Sequence, residues 1–260
     1  RINATRFLLR VSAFIQTLPV LIMKPDDLVE FSRQSYARPA DIESWAEDEL
    51  VDSGLAPDEI DLLSDLPKKT GNLLLLGVGG GREAIPLAKM GFHVTGVDYV
   101  PAMVELTIEN GAKRGVHIEG LVQEISKLEA PPETYDVIWI SRSMYSCVPT
   151  RERRVEMVKR IACALKPDGY FLCQFHRGKI TKESAKLIFL RRLIAACTLG
   201  NTKYEKGDML HLNVEFLHAF SEEDTLRSEL EEGGFEVVHI QTDINPIRGG
   251  AVCRKPLAIP

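Results

Sequence analysis

Residues 73–98 read Leu73-Leu74-Leu75-Leu76-Gly77-Val78-Gly79-Gly80-Gly81-Arg82-Glu83-Ala84, then an amphipathic run to Lys89-Met90-Gly91, then Phe92-His93-Val94-Thr95-Gly96-Val97-Asp98. An apolar run, a glycine-rich turn, a helix and a second apolar run ending in a carboxylate make a nucleotide-binding β-α-β unit. Gly77, Gly79 and Gly81 let the backbone turn sharply and approach a ligand closely. The helix starting near Arg82 aims its first amides at that ligand. Asp98 follows Gly77 by 21 positions, where an acid can accept from both hydroxyls of a ribose. The motif alone does not choose the ligand, because Gly79-Gly80-Gly81-Arg82-Glu83-Ala84 also fits the dinucleotide pattern G-x-G-x-x-A.

The rest of the chain narrows the class. Its 260 residues suit one large domain or a domain with a small appendage. A net charge of −5 argues against a general nucleic-acid binder. The five cysteines are scattered, with no C-x-x-C pair and no histidine at a metal spacing. They predict a reducing, cytoplasmic setting, no disulfide framework and no metal site. Val11–Met23 is apolar but broken by Ser12, Gln16, Thr17 and Pro19. It reads as too short to span a bilayer, so no stable membrane insertion is expected.

Outward from the glycine turn, strand and helix signals alternate without an internal repeat. Residues 1–70 read as a helical cap, with breaks at Pro19, Pro25, Pro39, Pro57 and Pro67. Helices are expected from Asp26 to Gln34, from Asp41 to Val51 and from Pro57 to just before Pro67. Strands are expected at 72–76, 92–97, 116–123, 135–140, 170–175, 235–241 and 251–255, with helices at 82–90, 101–113, 150–165 and 181–198 and one opening at Ser221. Alternation of this kind predicts an α/β fold. The seven-stranded sheet is Rossmann-like and mainly parallel, with helices on both faces. The last two strands have no helix between them and are expected to form an antiparallel pair.

This order resembles the class I S-adenosylmethionine-dependent methyltransferases across roughly residues 70–255. Leu76-Gly77-Val78-Gly79-Gly80-Gly81 resembles the family's glycine loop. Gly96-Val97-Asp98 with Pro101-Ala102-Met103 resembles the ribose-binding acid and the helix after it. Tyr135-Asp136-Val137-Ile138 resembles the fourth strand. Leu165-Lys166-Pro167-Asp168-Gly169-Tyr170 resembles the L-[KR]-P-G-G turn, with Asp168 for one glycine. The run from Gly81 to Lys89 is similar to small-molecule and tellurite-type members.

The resemblance implies S-adenosylmethionine as cofactor and a site for it. The backbone of Gly77, Val78 and Gly79, with Gly81 completing the loop, would follow the methionine part. Asp98 would hold the ribose, and Tyr99 would flank the adenine. Glu124 would accept from the adenine amino group, while the amide of Ile125 would meet a ring nitrogen. Ser141 would lie beside the sulfonium, with Tyr36 over the cofactor. One position departs from the pattern: Leu75 stands where the family has an acid that helps hold the cofactor ammonium, and Glu83 is the nearest substitute. Two other readings stay open, an NAD(P)-binding oxidoreductase and a non-catalytic module that keeps the fold. The short-chain dehydrogenase signature, Tyr followed four residues later by Lys, is missing at all six tyrosines.

Candidates for work on the acceptor lie where strand ends meet loops: His176 first as a base, with Tyr145 and Arg142, then Ser143, Arg177, His211 and His218. Arg142 could instead pair with Glu152 or another surface acid, Tyr145 could equally serve packing, and His218 reads as structural. Trp45 and Trp139 read as core. Residues 177–220 read as a lid-like helical insertion in a domain spanning 71–260. Within it, 177–206 carries eight basic residues against Glu183 and Glu205, a local charge of +6 in an acidic chain. With the apolar stretch Leu187–Ala196, this could favour a small anionic or amphiphilic acceptor, or could be a packed helix with a solvated basic face. Oligomeric state is not legible.

Overall fold

The computed structural model describes residues 1–178 and 184–257. Five helices lead: α1 (Ile2–Ile22), α2 (Pro25–Tyr36), α3 (Pro39–Ala46), α4 (Asp48–Asp52) and α5 (Pro57–Ser64). The alternating part follows as β1 (Gly71–Leu76), α6 (Ala84–Met90), β2 (Phe92–Asp98), α7 (Pro101–Lys113), β3 (Ile118–Val122), β4 (Tyr135–Ile140), α8 (Arg151–Ala164) and β5 (Leu165–His176). Then come α9 (Ala185–Cys197), β6 (Asp208–His211), β7 (Glu215–His218), α10 (Glu223–Glu232), β8 (Glu236–Gln241) and β9 (Arg248–Arg254).

Seven strands form one sheet in the order β3-β2-β1-β4-β5-β9-β8. The first five are parallel, and β9 runs antiparallel to both β5 and β8. The expected Rossmann-like α/β sheet with its antiparallel terminal pair is therefore present. Chain order reverses between β1 and β4, and such a switch point opens a crevice at the strands' carboxyl ends.

The four leucines of β1 explain why the run is apolar without alternation. Leu74 and Leu76 join one core with Ile138, Ile161, Phe171 and Leu230. Leu73 and Leu75 join another with Leu62, Leu63, Leu87 and Trp139. All four are fully buried, because α8 and α10 cover one face while α5 and α6 cover the other. Thus α5, though N-terminal, is spatially part of the sheet layer.

Several boundaries differ from the sequence reading, each for a physical reason. Pro19 does not break α1, which continues to Ile22. Its last turn buries Val20 against Leu28 and Phe216, and that packing outweighs the lost hydrogen bond. The single helix expected over 41–51 is two, because Glu47 takes an extended conformation between α3 and α4. Lys166–Gly169 is not a turn ahead of β5 but a bulge inside it. Pairing with β4 jumps from Tyr135–Leu165 to Val137–Tyr170, with Asp168 left-handed at φ +64°. The hairpin β6–β7 was not anticipated. Its turn puts Leu212 and Asn213 both at positive φ, closed by Val214 N–H donating to the His211 carbonyl at 2.9 Å, a primed turn made without glycine. Residues 181–183 of the expected helix, with Lys179 and Lys182 of the basic segment, lie outside the described residues.

The hairpin and the first two helices form one cap. Phe216 N–H donates to Ser32 Oγ at 3.0 Å, and Asn201 N–H donates to the Leu21 carbonyl at 2.8 Å. The cap therefore draws on both sequence segments read as separate, 1–70 and 177–220.

Candidate active site

The glycine turn after β1 is closed by its own backbone. Gly77 and Val78 amides donate to the Val97 carbonyl at 2.8 and 3.0 Å, with Gly77, Gly79 and Gly81 at φ +83°, +51° and +95°. Only glycine adopts such angles cheaply. Helix α7 pins the turn from outside: Thr107 Oγ1 donates to the Gly79 carbonyl at 2.7 Å, and Asn110 Nδ2 donates to the Gly80 carbonyl at 2.9 Å. A side chain on Gly80 would put its Cβ 2.1 Å from the Trp45 carbonyl. The break at Glu47 thus lets Trp45 lie over the turn.

A cavity of about 300 Å³ opens beside this turn. Gly77, Gly79, Asp98, Tyr99, Ser141 and Tyr36 line it, together with Arg142 and His176. A smaller recess shares Gly77, Asp98 and Tyr99 and reaches Glu124 and Ile125. Tyr145, Val78, Gly81 and Arg177 of the expected residues stand elsewhere, Arg177 donating from its side chain to the Thr242 carbonyl. Tyr145 is fully buried in the core and donates to Glu229 Oε2 at 2.8 Å, so it does not face the acceptor space. Val78 is buried with its amide spent on Val97, and Gly81 packs against Thr107 and Ile85. Both shape the turn rather than line the cavity. Trp45, read as core, lines the cavity, whereas Trp139 is core. Met144, Glu215, Leu217 and Arg248 line it without having been singled out. No periodic or motif signal marks them, since they arrive from the loop after β4, the hairpin and β9.

Asp98 Oδ2 accepts from the Gly79 amide at 3.2 Å and Oδ1 from the Val100 amide at 3.0 Å. Burial outweighs those contacts and pushes its carboxyl up to about 6. Glu83 and Arg142 meet at 3.7 Å on the cavity wall. Arg142 pairs there rather than with Glu152, which holds Lys203. Burial raises Glu83, against the opposing fields of Arg82 and Arg142, and burial lowers Arg142, whose Nε is buried without a hydrogen-bond partner. Behind them Arg82 is clamped between Glu59 and Glu83. An acid and a guanidinium side by side suit the ammonium and carboxylate of an α-amino acid. The cavity therefore fits the cofactor implied above: a buried acid for the ribose, a zwitterion pair for the methionine end, and a recess at Glu124 for the base. Glu124 is held by Lys127 at 3.1 Å and Arg153 at 3.4 Å.

Leu75 sits in the apolar core, not in the cavity. Leu75→Asp is thus expected to bury an unpaired carboxylate and destabilise the fold by several kcal/mol, rather than tighten cofactor binding. Glu83→Gln is expected to weaken binding by about tenfold, the value of one charge-assisted contact. Calorimetric titration of both variants, with their urea midpoints, checks this, and full affinity in Glu83→Gln would place the ammonium elsewhere.

On the acceptor side, burial and the neighbouring His211 ring, 6.0 Å away, lower the His176 pKa, leaving the imidazole neutral near pH 7. Arg248 holds Asp58 at 3.2 Å while its Nε is buried without a hydrogen-bond partner. Tyr36 and Glu215 face the cavity from the opposing cap, and Cys147, in the loop after β4, reaches Glu215 at 3.6 Å; burial and then Glu215 push Tyr36 and Cys147 upward, so each stays protonated. His218 is buried against Asp208 at 2.8 Å. Glu205, Asp208 and His218 are close enough to share a cation, but the Arg154 guanidinium already lies 3.1 Å from Glu205.

Residues 73–169 match the model of a methyltransferase domain. A ubiquinone biosynthesis O-methyltransferase of Xylella fastidiosa is 33% identical over 119 residues, 44% of this chain and 46% of that protein. The chain thus spans about half the length of the curated relatives it matches. Among solved structures, an S-adenosylmethionine-dependent methyltransferase from Methanosarcina mazei superposes with a TM-score of 0.59 at 23% identity, over 78% of this chain and 99% of that one. A TehB-like S-adenosylmethionine-dependent methyltransferase from Corynebacterium glutamicum gives 0.57 at 18%, over 84% and 100%. At these identities the structural likeness establishes the fold.

Proposed function

We propose that this chain, whose residues 73–169 match the model of a methyltransferase domain, transfers a methyl group from S-adenosylmethionine to a hydroxyl of a small anionic acceptor. The observation that carries the acceptor side is His176, neutral and half-buried in the cavity beside Arg142 and Arg248. Sheet order separates the two ends. Asp98 ends β2 and His176 ends β5, three strand spacings apart in the run β2-β1-β4-β5, or about 14 Å. That span leaves room for ribose at one end and acceptor at the other, with Ser141 between them at the end of β4. The hydroxyl follows the name of the O-methyltransferase relative. The family match ends at Gly169, so the acceptor side rests on this chain's own residues. The unpaired state of all five cysteines supports a cytoplasmic setting.

When bound, S-adenosylmethionine supplies a sulfonium methyl already activated for in-line displacement. Glu83 and Arg142 fix the amino-acid end, and Asp98 fixes the ribose. His176 takes the acceptor's hydroxyl proton at a ring nitrogen as the oxygen becomes nucleophilic. Arg248, with Arg142 beside it, holds the acceptor's anionic group and sets its distance. Tyr36, Trp45 and Leu217 close the cavity against water.

Release of the demethylated cofactor from hydroxylated aromatic carboxylates, compared with their neutral methyl esters, tests the acceptor class. The carboxylates are expected to turn over faster, by about tenfold or more for one charge-assisted contact, and Arg248→Gln to erase the preference. Equal turnover of acid and ester would contradict it.

The Asp98 carboxylate gives a pH signature. Ribose hydroxyls donate to its ionised form, which exists above its pKa of about 6 in the empty protein. Affinity is expected to be full above pH 6 and to fall by up to tenfold per unit as pH drops below it. The empty protein behaves oppositely: a carboxyl raised from 3.8 to about 6 stabilises it at low pH and loses that contribution as pH rises through 6. Titrations between pH 5 and 7.5 read this directly, and a flat affinity would remove Asp98 from the ribose.

A further inference from the structure

Away from the cavity, two helices expose apolar stripes that no described part of the chain covers. On α1, Ile2, Phe7, Leu8 and Leu9 are exposed all round the first turns, and Val11, Ile15 and Ile22 carry the exposed apolar surface along one side to the helix end. Among the described side chains, full burial is confined to the last turn, at Val20 and Leu21, which sit in the cap. On α9, Phe189 is 68% exposed, with Leu190 and Leu193 beside it, while Arg191 and Ala195 are buried. The two helices pack against each other, and the Asn201 contact to the Leu21 carbonyl ties them together just past α9. They belong to the cap whose hairpin lines the cavity through His211, Glu215 and Leu217.

Their charge is of one sign. Residues 1–24 carry Arg1, Arg6, Arg10 and Lys24 and no acidic residue; α9 exposes Lys186 and Arg192, besides the buried Arg191, and carries no acidic residue. This occurs in a chain of net charge −5.

We propose that α1 and α9 together form a docking face for the surface of an anionic lipid bilayer. Apolar stripes accompanied only by basic residues are what interfacial helices present to acidic headgroups. Self-association of this face would set like charges against each other, which disfavours a second copy as the occupant. By length and composition α1 could cross a bilayer: an 18-residue window has a mean hydropathy of 1.3. This differs from the expectation drawn from Val11–Met23 alone, because the helix begins at Ile2. Its last turn, however, is fixed in the cap at Val20 and Leu21, so the helix lies along the surface rather than through it. A docked cap would hold the cavity-lining hairpin next to the membrane.

Vesicle flotation of the full chain tests the idea, using phosphatidylcholine with and without phosphatidylglycerol. Binding is expected to be about tenfold or more stronger to the anionic vesicles and to weaken with added salt. Phe7→Asp/Phe189→Asp and Arg6→Glu/Lys186→Glu should each abolish it, with unchanged melting and cofactor affinity because the side chains are exposed. Equal binding to neutral vesicles, no binding to either, or a dimer lost in the Phe7→Asp/Phe189→Asp variant without vesicle binding would overturn it. Cofactor titration on the same samples separates failure of this face from failure of the methyltransferase reading.

Discussion

Arg154→Ala is expected to lower the unfolding free energy by about 3–5 kcal/mol. Arg154 and Glu229 are both fully buried, joined by Nε to Oε2 at 2.9 Å and Nη2 to Oε1 at 2.8 Å. The pair couples α8 to α10 within the core on that face. Glu229 also accepts from Tyr145, and the guanidinium lies 5.4 Å from the Phe220 ring centroid. Despite burial, the fields of Glu229 and Glu205 hold Arg154 above its ordinary pKa, so it stays charged. Removing it strands an uncompensated carboxylate in apolar surroundings. Urea denaturation measures the loss. Arg154→Leu/Glu229→Leu should recover most of it, because the desolvation cost disappears with the pair. A loss under about 1 kcal/mol in the single variant would show that water reaches this site.

His176→Ala is expected to reduce kcat by about 10²–10⁴, the usual worth of a positioned base, with cofactor affinity unchanged. The imidazole must be neutral to accept a proton, and its pKa lies below 6.5. The rate should therefore rise with pH across the acidic range, with the midpoint of the rise below that of a free imidazole. The variant should lose that acid limb. Retention of both the rate and the limb would mean that the acceptor reaches the site without a proton to give up.

The Asp98 contribution is smaller and is best read with Asp98→Asn. The carboxylate also accepts from the Gly79 and Val100 amides, so Asp98→Ala would loosen the turn along with the ribose contact. Asparagine keeps the shape and removes the charge. A loss of about ten- to a hundredfold in cofactor affinity is expected, for about 1.5–3 kcal/mol of charged hydrogen bonding.

What the sequence disclosed was local. Four leucines, three positive-φ glycines and an acid at the right distance specify a buried strand, a tight turn and a ribose contact within 26 consecutive residues. Prolines at Pro25, Pro39, Pro57 and Pro101 each mark a first helical turn, because that position has no hydrogen bond to lose. The acceptor side was only partly legible. Arg248 reaches the cavity because β9 inserts between β5 and β8, a pairing across more than 70 residues. Trp45 was misread because an aromatic residue in a helix normally packs inward. Here an extended Glu47, unmarked by glycine or proline, ends the helix and lays the indole over Gly79. Tyr145 was misread for the opposite reason. It follows a strand at the functional edge, but its partner Glu229 lies 84 residues away, and only the tertiary fold shows that its hydroxyl turns inward.

Every catalytic role proposed for this chain depends on S-adenosylmethionine filling the cavity beside Gly77 and Asp98. Titration calorimetry of the whole chain with S-adenosylmethionine, its demethylated product and NAD tests it most directly. One site per chain is expected for the first two, weakened in Asp98→Asn, and no binding of NAD. Tighter binding of NAD than of the sulfonium cofactor, or heat from none of the three, would contradict it.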